Sequence, residues 1–219
     1  MFQQEIKARI HPSPNYFQII YQVFCPFTAG YFLTAFFNQI NAMLAPYLSK
    51  TINLSSTDLG LMTSIYLLAF ALFQLPLGVL LDRLGPRKTQ STLFIICVIG
   101  TTIFSLANNV YSLLIGRALI GIGMAAGLMA AFKSISIWFP KERIPLANAS
   151  LMALGTTGAL FSTSPVELIL RVISWRELFV IISFLTLIIA CLIYFIVPER
   201  KQSSQNISIT EQFKELKII

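Results

Sequence analysis

Charge is what this chain has least of. Only 11% of its 219 residues are Asp, Glu, Lys or Arg, against about 25% in an ordinary soluble domain. With 56% hydrophobic residues and a mean hydropathy of +0.75, that deficit excludes a soluble globular domain and points to an integral membrane protein. Histidine is nearly missing, since the single one, His11, lies in the polar leader. Metal chemistry and histidine-based nucleophilic catalysis lose most of their support. An intramembrane serine protease would lack both a base and a Gly-x-Ser-x-Gly turn. The three cysteines, Cys25, Cys97 and Cys191, each sit in an apolar run without metal-ligand spacing, and say nothing about redox compartment. Acidic residues deep inside the apolar runs are absent as well, which weakens carboxylate-based proton coupling. No catalytic residue, metal or cofactor is expected.

What is present is a series of long uncharged stretches with basic edges. The formal charge of +7 does not form a stripe interleaved with polar residues, so nucleic acid is not the expected partner. The positive residues instead flank apolar runs, where membrane topology needs them. Six spans are expected: about Phe17 to Ala45, Thr57 to Leu81, Thr89 to Ala107, Tyr111 to Phe132, Pro145 to Leu168 and Leu178 to Val197. The chain divides into an amino-terminal arm (1–16), a helical bundle (17–197) and a tail (198–219). Ser55-x-x-Asp58 is a plausible N-cap for the second span. Gly116, Gly121, Gly123 and Gly127 form a small-residue face on the fourth, where helices can approach closely. In the tail, Ser208-x-x-Glu211 followed by Phe213, Leu216 and Ile219 reads as a short amphipathic surface helix. With the amino terminus inside, Lys7, Arg9, Arg83, Arg87, Lys88, Lys141, Arg143, Arg200, Lys201, Lys214 and Lys217 are inside and only Lys50, Arg171 and Arg176 outside, so both ends are expected to be cytoplasmic.

One short loop concentrates the chemistry. From Gly78 through Asp82, Arg83 and Gly85 to Arg87 and Lys88, the chain places a carboxylate, a turn glycine, Pro86 and three cations at the end of an uncharged run. The spacing G-x-L-x-D-x-x-G-x-[RK]-[RK] resembles the signature loop of the major facilitator superfamily between its second and third spans. The resemblance covers about residues 16 to 200. It implies an all-α integral membrane fold, with six transmembrane helices forming one half of a two-half carrier, and the tail leading into the central linker. It also implies that the loop is a cytoplasmic gate, in which Asp82 faces the amino terminus of a helix in the other half. A carboxylate is favourable at such a helix end. Because that second half is not in this chain, a truncated or half-size member is expected, and its missing partner is either a second copy of the chain or a separate carboxy-terminal half.

The remaining candidates are polar residues inside spans. Arg117, in Gly116-Arg117-Ala118-Leu119-Ile120-Gly121, resembles the arginine motif of the family's fourth span, associated there with proton or substrate coupling; the plain alternative is a stem that snorkels to the headgroups. Lys133 lies sixteen positions later, about 160° around an ideal helix, so a straight helix cannot aim both cations at one cavity. It either snorkels inward or meets an anionic substrate. Gln74, near Pro76, is a packing hydrogen-bonder or a cavity residue, and Asn38 and Gln39 are substrate or coupling candidates in the first span. Several bacterial relatives carry an arginine near Gln39, so a basic contact there is in doubt. Trp138-Phe139-Pro140, Ser164-Pro165 and Trp175-Arg176 look like the organic-anion and metabolite branches of the family. The expected function is therefore secondary transport of a small solute by alternating access, not enzymatic turnover, in a bacterial inner membrane. A non-transporting adaptor that contacts lipid is the alternative.

Overall fold

The computed structural model describes residues 16–199, so His11, the arm 1–15, the basic residues from Arg200 onward and the expected surface helix of the tail lie outside the described residues. Every regular element among the described residues is helical. Among these residues five helices are long and apolar enough to cross a membrane: α1 (Tyr16–Ile52), α2 (Ser56–Ser105), α3 (Val110–Trp138), α4 (Lys141–Leu170) and α5 (Trp175–Ile196). A backbone in hydrocarbon must satisfy its own hydrogen bonds, and a helix does this within one segment.

The 50-residue α2 would measure about 75 Å if straight, far more than the ~30 Å of hydrocarbon. It is not straight. Gly85, with φ 77° and ψ 166°, leaves helical geometry and separates an arm of 56–84 from an arm of 86–105. A residue before proline is pushed to extended ψ, and Pro86 follows; positive φ then restricts the position to glycine. The hydroxyl of Thr89 donates to the Leu80 carbonyl across the turn at 3.1 Å. The direction of each arm follows from its neighbours on α3. Gly121 lies on Tyr66, Ala125 receives a bond from Gln74 and Lys133 pairs with Asp82, so the first arm runs parallel to α3. Gly116 lies on Phe104 and Gly123 on Cys97, so the second arm runs back against it.

Gly85→Ala tests this turn in isolation. A Cβ there meets nothing within 4 Å, so the cost is backbone strain alone, about 1–3 kcal/mol. Reversible unfolding in mixed micelles is expected to show that loss, while Gly60→Ala, equally open but helical, is not destabilised. Equal behaviour of the two variants would remove Gly85 as the fold's required hinge.

Other breaks also have local causes. In α1 a π-turn spans Ile20–Phe24, with the Cys25 N–H bonded to the Ile20 carbonyl. Pro26 comes next and has no N–H to continue an α-helical ladder. Helix α1 then continues through Pro46 to Ile52, past the expected end at Ala45. Helix α3 loosens at Ala125 and Ala126, and side chains take the exposed carbonyls: Thr34 donates to Met124 at 3.4 Å and Gln74 to Ala125 at 3.2 Å. Helix α5 begins at Trp175, three residues earlier than the expected Leu178, because Ser174 and Glu177 make a reciprocal capping box like that of Ser55 and Asp58.

Helix–helix packing in lipid depends on close approach. The α3 glycines provide it, but not as the single face expected from sequence. Gly116 and Gly123 meet the second arm of α2, Gly121 meets the first arm, and Gly127 meets Thr34 of α1. Because α3 is surrounded, its small residues serve three neighbours. Gly155 and Gly158 seat α4 on Tyr31 and Phe32 of α1 in the same way.

The bundle thus has two ends. One gathers Tyr16, the Gly85 turn, Arg143 and the end of α5, through the Arg143–Tyr16 stack and the Arg87–Tyr194 contact. The other gathers the end of α1 and the start of α5: Trp175 Nε1 donates to Thr51, and Arg176 donates to the Ala107 carbonyl and Asn108.

Candidate functional site

The residues of the Gly85 loop divide into two groups. Arg87 donates through Nε to the Tyr194 carbonyl at 2.7 Å and stacks 5.1 Å from that ring's centre, while Lys88 pairs with Glu199 at 2.5 Å. These two cations fasten the loop to the end of α5. Gly78, Asp82 and Arg83 are exposed, and a Cβ at Gly78 would meet nothing within 4 Å. This is the open part of the motif.

Asp82 does have a partner within the chain. Its carboxylate is ion-paired with Lys133 of α3, a contact that the sequence reading did not foresee. The Asp82 side chain is 67% exposed and that of Lys133 19%. With its carboxylate end this open, the pair stabilises by about 1 kcal/mol, so the carboxylate can be exchanged at little cost. Arg83 makes no ion pair among the described residues.

Arg117 sits elsewhere, as the sixteen-residue separation from Lys133 requires. It is 1% exposed, with its guanidinium 4.8 Å from the centre of the Phe104 ring and 5.8 Å from that of Phe179. It is enclosed in the bundle and does not reach a rim. No carboxylate pairs with it among the described residues, and Nε and Nη2 have no hydrogen-bond partner there. Cation–π contact supplies about 2 kcal/mol or somewhat more when desolvated. Burying an ion costs several. Packing alone is a poor account of this side chain.

A neutral polar strip links α1 to the first arm of α2. The Tyr66 hydroxyl donates to Asn38 Oδ1 at 2.6 Å, and Asn41 Nδ2 donates to the Thr63 hydroxyl. Asn38 and Gln39 are exposed. Gln74 is placed differently, donating to the Ala125 carbonyl at the loosening of α3. Tyr66 and Thr63 were missed by the sequence reading, although their spacing of three puts them on one helix face, like Asn38 and Asn41. Gln90 was missed as well: it is fully buried against Gly30, and neither polar atom of its carboxamide has a partner among the described residues. Nothing in the sequence separates it from other polar residues near a span end.

An all-helical bundle with five membrane-length apolar helices is an integral multi-pass membrane protein. Its chain matches the family profile of the Major Facilitator Superfamily over residues 27–218, and it belongs to that family. Among curated proteins it is similar to the uncharacterized transporter YybO of Bacillus subtilis, 27% identical over 78% of this chain and 40% of that one. It is 25% identical to the probable sulfoacetate transporter SauU of Cupriavidus necator, over 72% of this chain and 36% of SauU. With the hexuronate transporter of B. subtilis it shares 29% identity over 74% of this chain and 39% of the relative. The chain thus spans about two fifths of the length of these relatives.

Proposed function

We propose that this chain forms the amino-terminal half of a secondary transporter for small organic anions, working by alternating access. The observation that carries the reading is the Asp82–Lys133 pair, an exchangeable ion pair that joins a little-exposed cation to the exposed gate carboxylate. An arriving carboxylate or sulfonate competes for Lys133, and the displaced Asp82 becomes free to meet a helix end in the other half. Substrate arrival and gate closure are then one exchange. Hexuronate and sulfoacetate, the solutes in two relatives' names, are anions of this kind.

In this reading each arm of α2 crosses the bilayer, which makes six spans with both ends cytoplasmic. The Gly85 turn and Arg143 then face the cytoplasmic side of a bacterial inner membrane, in keeping with the basic residues gathered there. The other six-helix half of such a carrier faces this one across the central site. The two halves rock about a site near the midplane, where Asn38, Gln39 and the Tyr66 hydroxyl offer hydrogen bonds and Arg117 lies within electrostatic reach of Tyr66.

Binding tests the exchange without needing the other half. Glucuronate and sulfoacetate are expected to raise the thermal midpoint of the purified chain, and glucose is not. Lys133→Gln is expected to abolish the anion effect. Asp82→Asn, which frees the lysine, is expected to tighten anion binding up to about fivefold, the worth of an exposed pair. Stabilisation by glucose equal to that by glucuronate would defeat the anion assignment. Weaker binding by Asp82→Asn would defeat the competition.

A further inference from the structure

At the end of the bundle that holds the Gly85 turn, a cleft opens between the first turns of α1 and the start of α4. It encloses about 150 Å³ and is lined chiefly by Tyr16, Ile20, Phe24, Phe139, Arg143 and Ala147. Its shape has a backbone cause. The π-turn Ile20–Phe24 contributes both Ile20 and Phe24 to one wall, and such widened turns recur at functional sites. Phe139, 7% exposed, forms the floor and packs against Tyr16 and Phe24 with ring centres 6.2 and 6.1 Å away. At the rim, the exposed Arg143 lies over the Tyr16 ring, 4.6 Å from its centre, and pairs with no carboxylate among the described residues. The turn Lys141–Glu142–Arg143 has two cations and one anion, a net +1.

We propose that this cleft binds an anionic phospholipid, with Arg143 holding the phosphate and the apolar groove beneath it taking the first part of an acyl chain. Apolar space of about this size accommodates a hydrocarbon of benzene's bulk. It is too small for a folded peptide segment. A guanidinium offers paired N–H donors to phosphate oxygens, and its place over the Tyr16 ring keeps it at the edge of the apolar space. Charge and shape complementarity therefore favour one ligand with an anionic head and a hydrocarbon body. Transport plays no part in this inference.

The test uses the whole chain in detergent, titrated with phosphatidylglycerol, phosphatidylcholine or glycerol 3-phosphate, with bound species counted by native mass spectrometry. Photoactivatable phosphatidylglycerol maps the contact. Phosphatidylglycerol is expected to bind at least tenfold more tightly than phosphatidylcholine and to crosslink to 16–24 and 139–150. Glycerol 3-phosphate alone is expected not to bind. Arg143→Gln is expected to erase the preference for the anionic lipid, and Arg143→Lys to restore part of it. Ser150→Trp, which narrows the cleft and leaves the guanidinium in place, is expected to weaken phosphatidylglycerol at least fivefold. The proposal is overturned by an undiminished preference in Arg143→Gln, by equal binding of the two lipids, by binding of glycerol 3-phosphate as tight as that of the lipid, or by crosslinks confined to other helices.

Discussion

Gly123→Val is expected to abolish the folded bundle, seen as loss of the monodisperse peak in size-exclusion chromatography of the detergent-extracted chain. A Cβ at this position would lie 2.5 Å from the Cys97 Cβ, 2.6 Å from its nitrogen and 2.7 Å from its Cα. Rotation of a side chain cannot relieve contact with backbone, so α3 and the second arm of α2 would have to separate. Ordinary overpacking costs about 1–3 kcal/mol; a backbone collision that parts two helices exceeds that, against a total stability of about 5–15 kcal/mol. Cys97→Gly in the same chain is expected not to rescue, because the nitrogen and Cα remain. Gly78→Ala, where a Cβ finds open space, is expected to fold normally. A folded Gly123→Val protein would mean that this crossing is looser than the contact distances require.

Arg117→Met is expected to separate function from fold. Methionine is unbranched and uncharged and ends about where the arginine Nε lies, so it fills the inner part of the site and removes the desolvation cost, while giving up the guanidinium's contact with Phe104 and Phe179. The thermal midpoint is expected to stay level or rise. Under the proposed function, anion uptake by vesicles carrying the chain with a carboxy-terminal half is expected to fall at least tenfold. Wild-type uptake by Arg117→Met would reduce the residue to packing. A lowered midpoint would show that the guanidinium's ring contacts and packing together outweigh its desolvation. Arg117→Lys keeps the charge but loses the flat guanidinium, and its uptake reports whether charge alone is enough.

Much of the bundle was legible because apolar length and charge deficit act locally along the chain. The turn at Asn108 and Asn109, the cap at Ser55 and the break at Gly85-Pro86 each depend on residues within a few positions of one another. Ser174-x-x-Glu177 is equally local, yet the expected span starts only at Leu178: Trp175, Arg176 and Glu177 look like loop when polarity is weighed ahead of capping geometry. The extension of α1 past Ala45 was hidden by Pro46, a residue that a helix accepts here without interruption.

The site was legible only in its residue types. Helical periodicity separated Arg117 from Lys133, and the structure places them against different neighbours. It did not give Lys133 to Asp82, 51 positions away, nor enclose Arg117 between Phe104 and Phe179. The glycines of α3 make the same point: chain spacing put them on one face, whereas three neighbours meet them from different sides.

By itself, the order of residues determined a membrane-embedded helical protein of this superfamily, with its loop motif and basic edges, because hydrophobic length and turn chemistry are properties of short segments. The tertiary structure alone decided which cation meets Asp82, which is enclosed by aromatic rings, and how the π-turn of α1 comes to wall a cleft with α4. Those outcomes depend on the register and rotation of packed helices, which no single segment encodes.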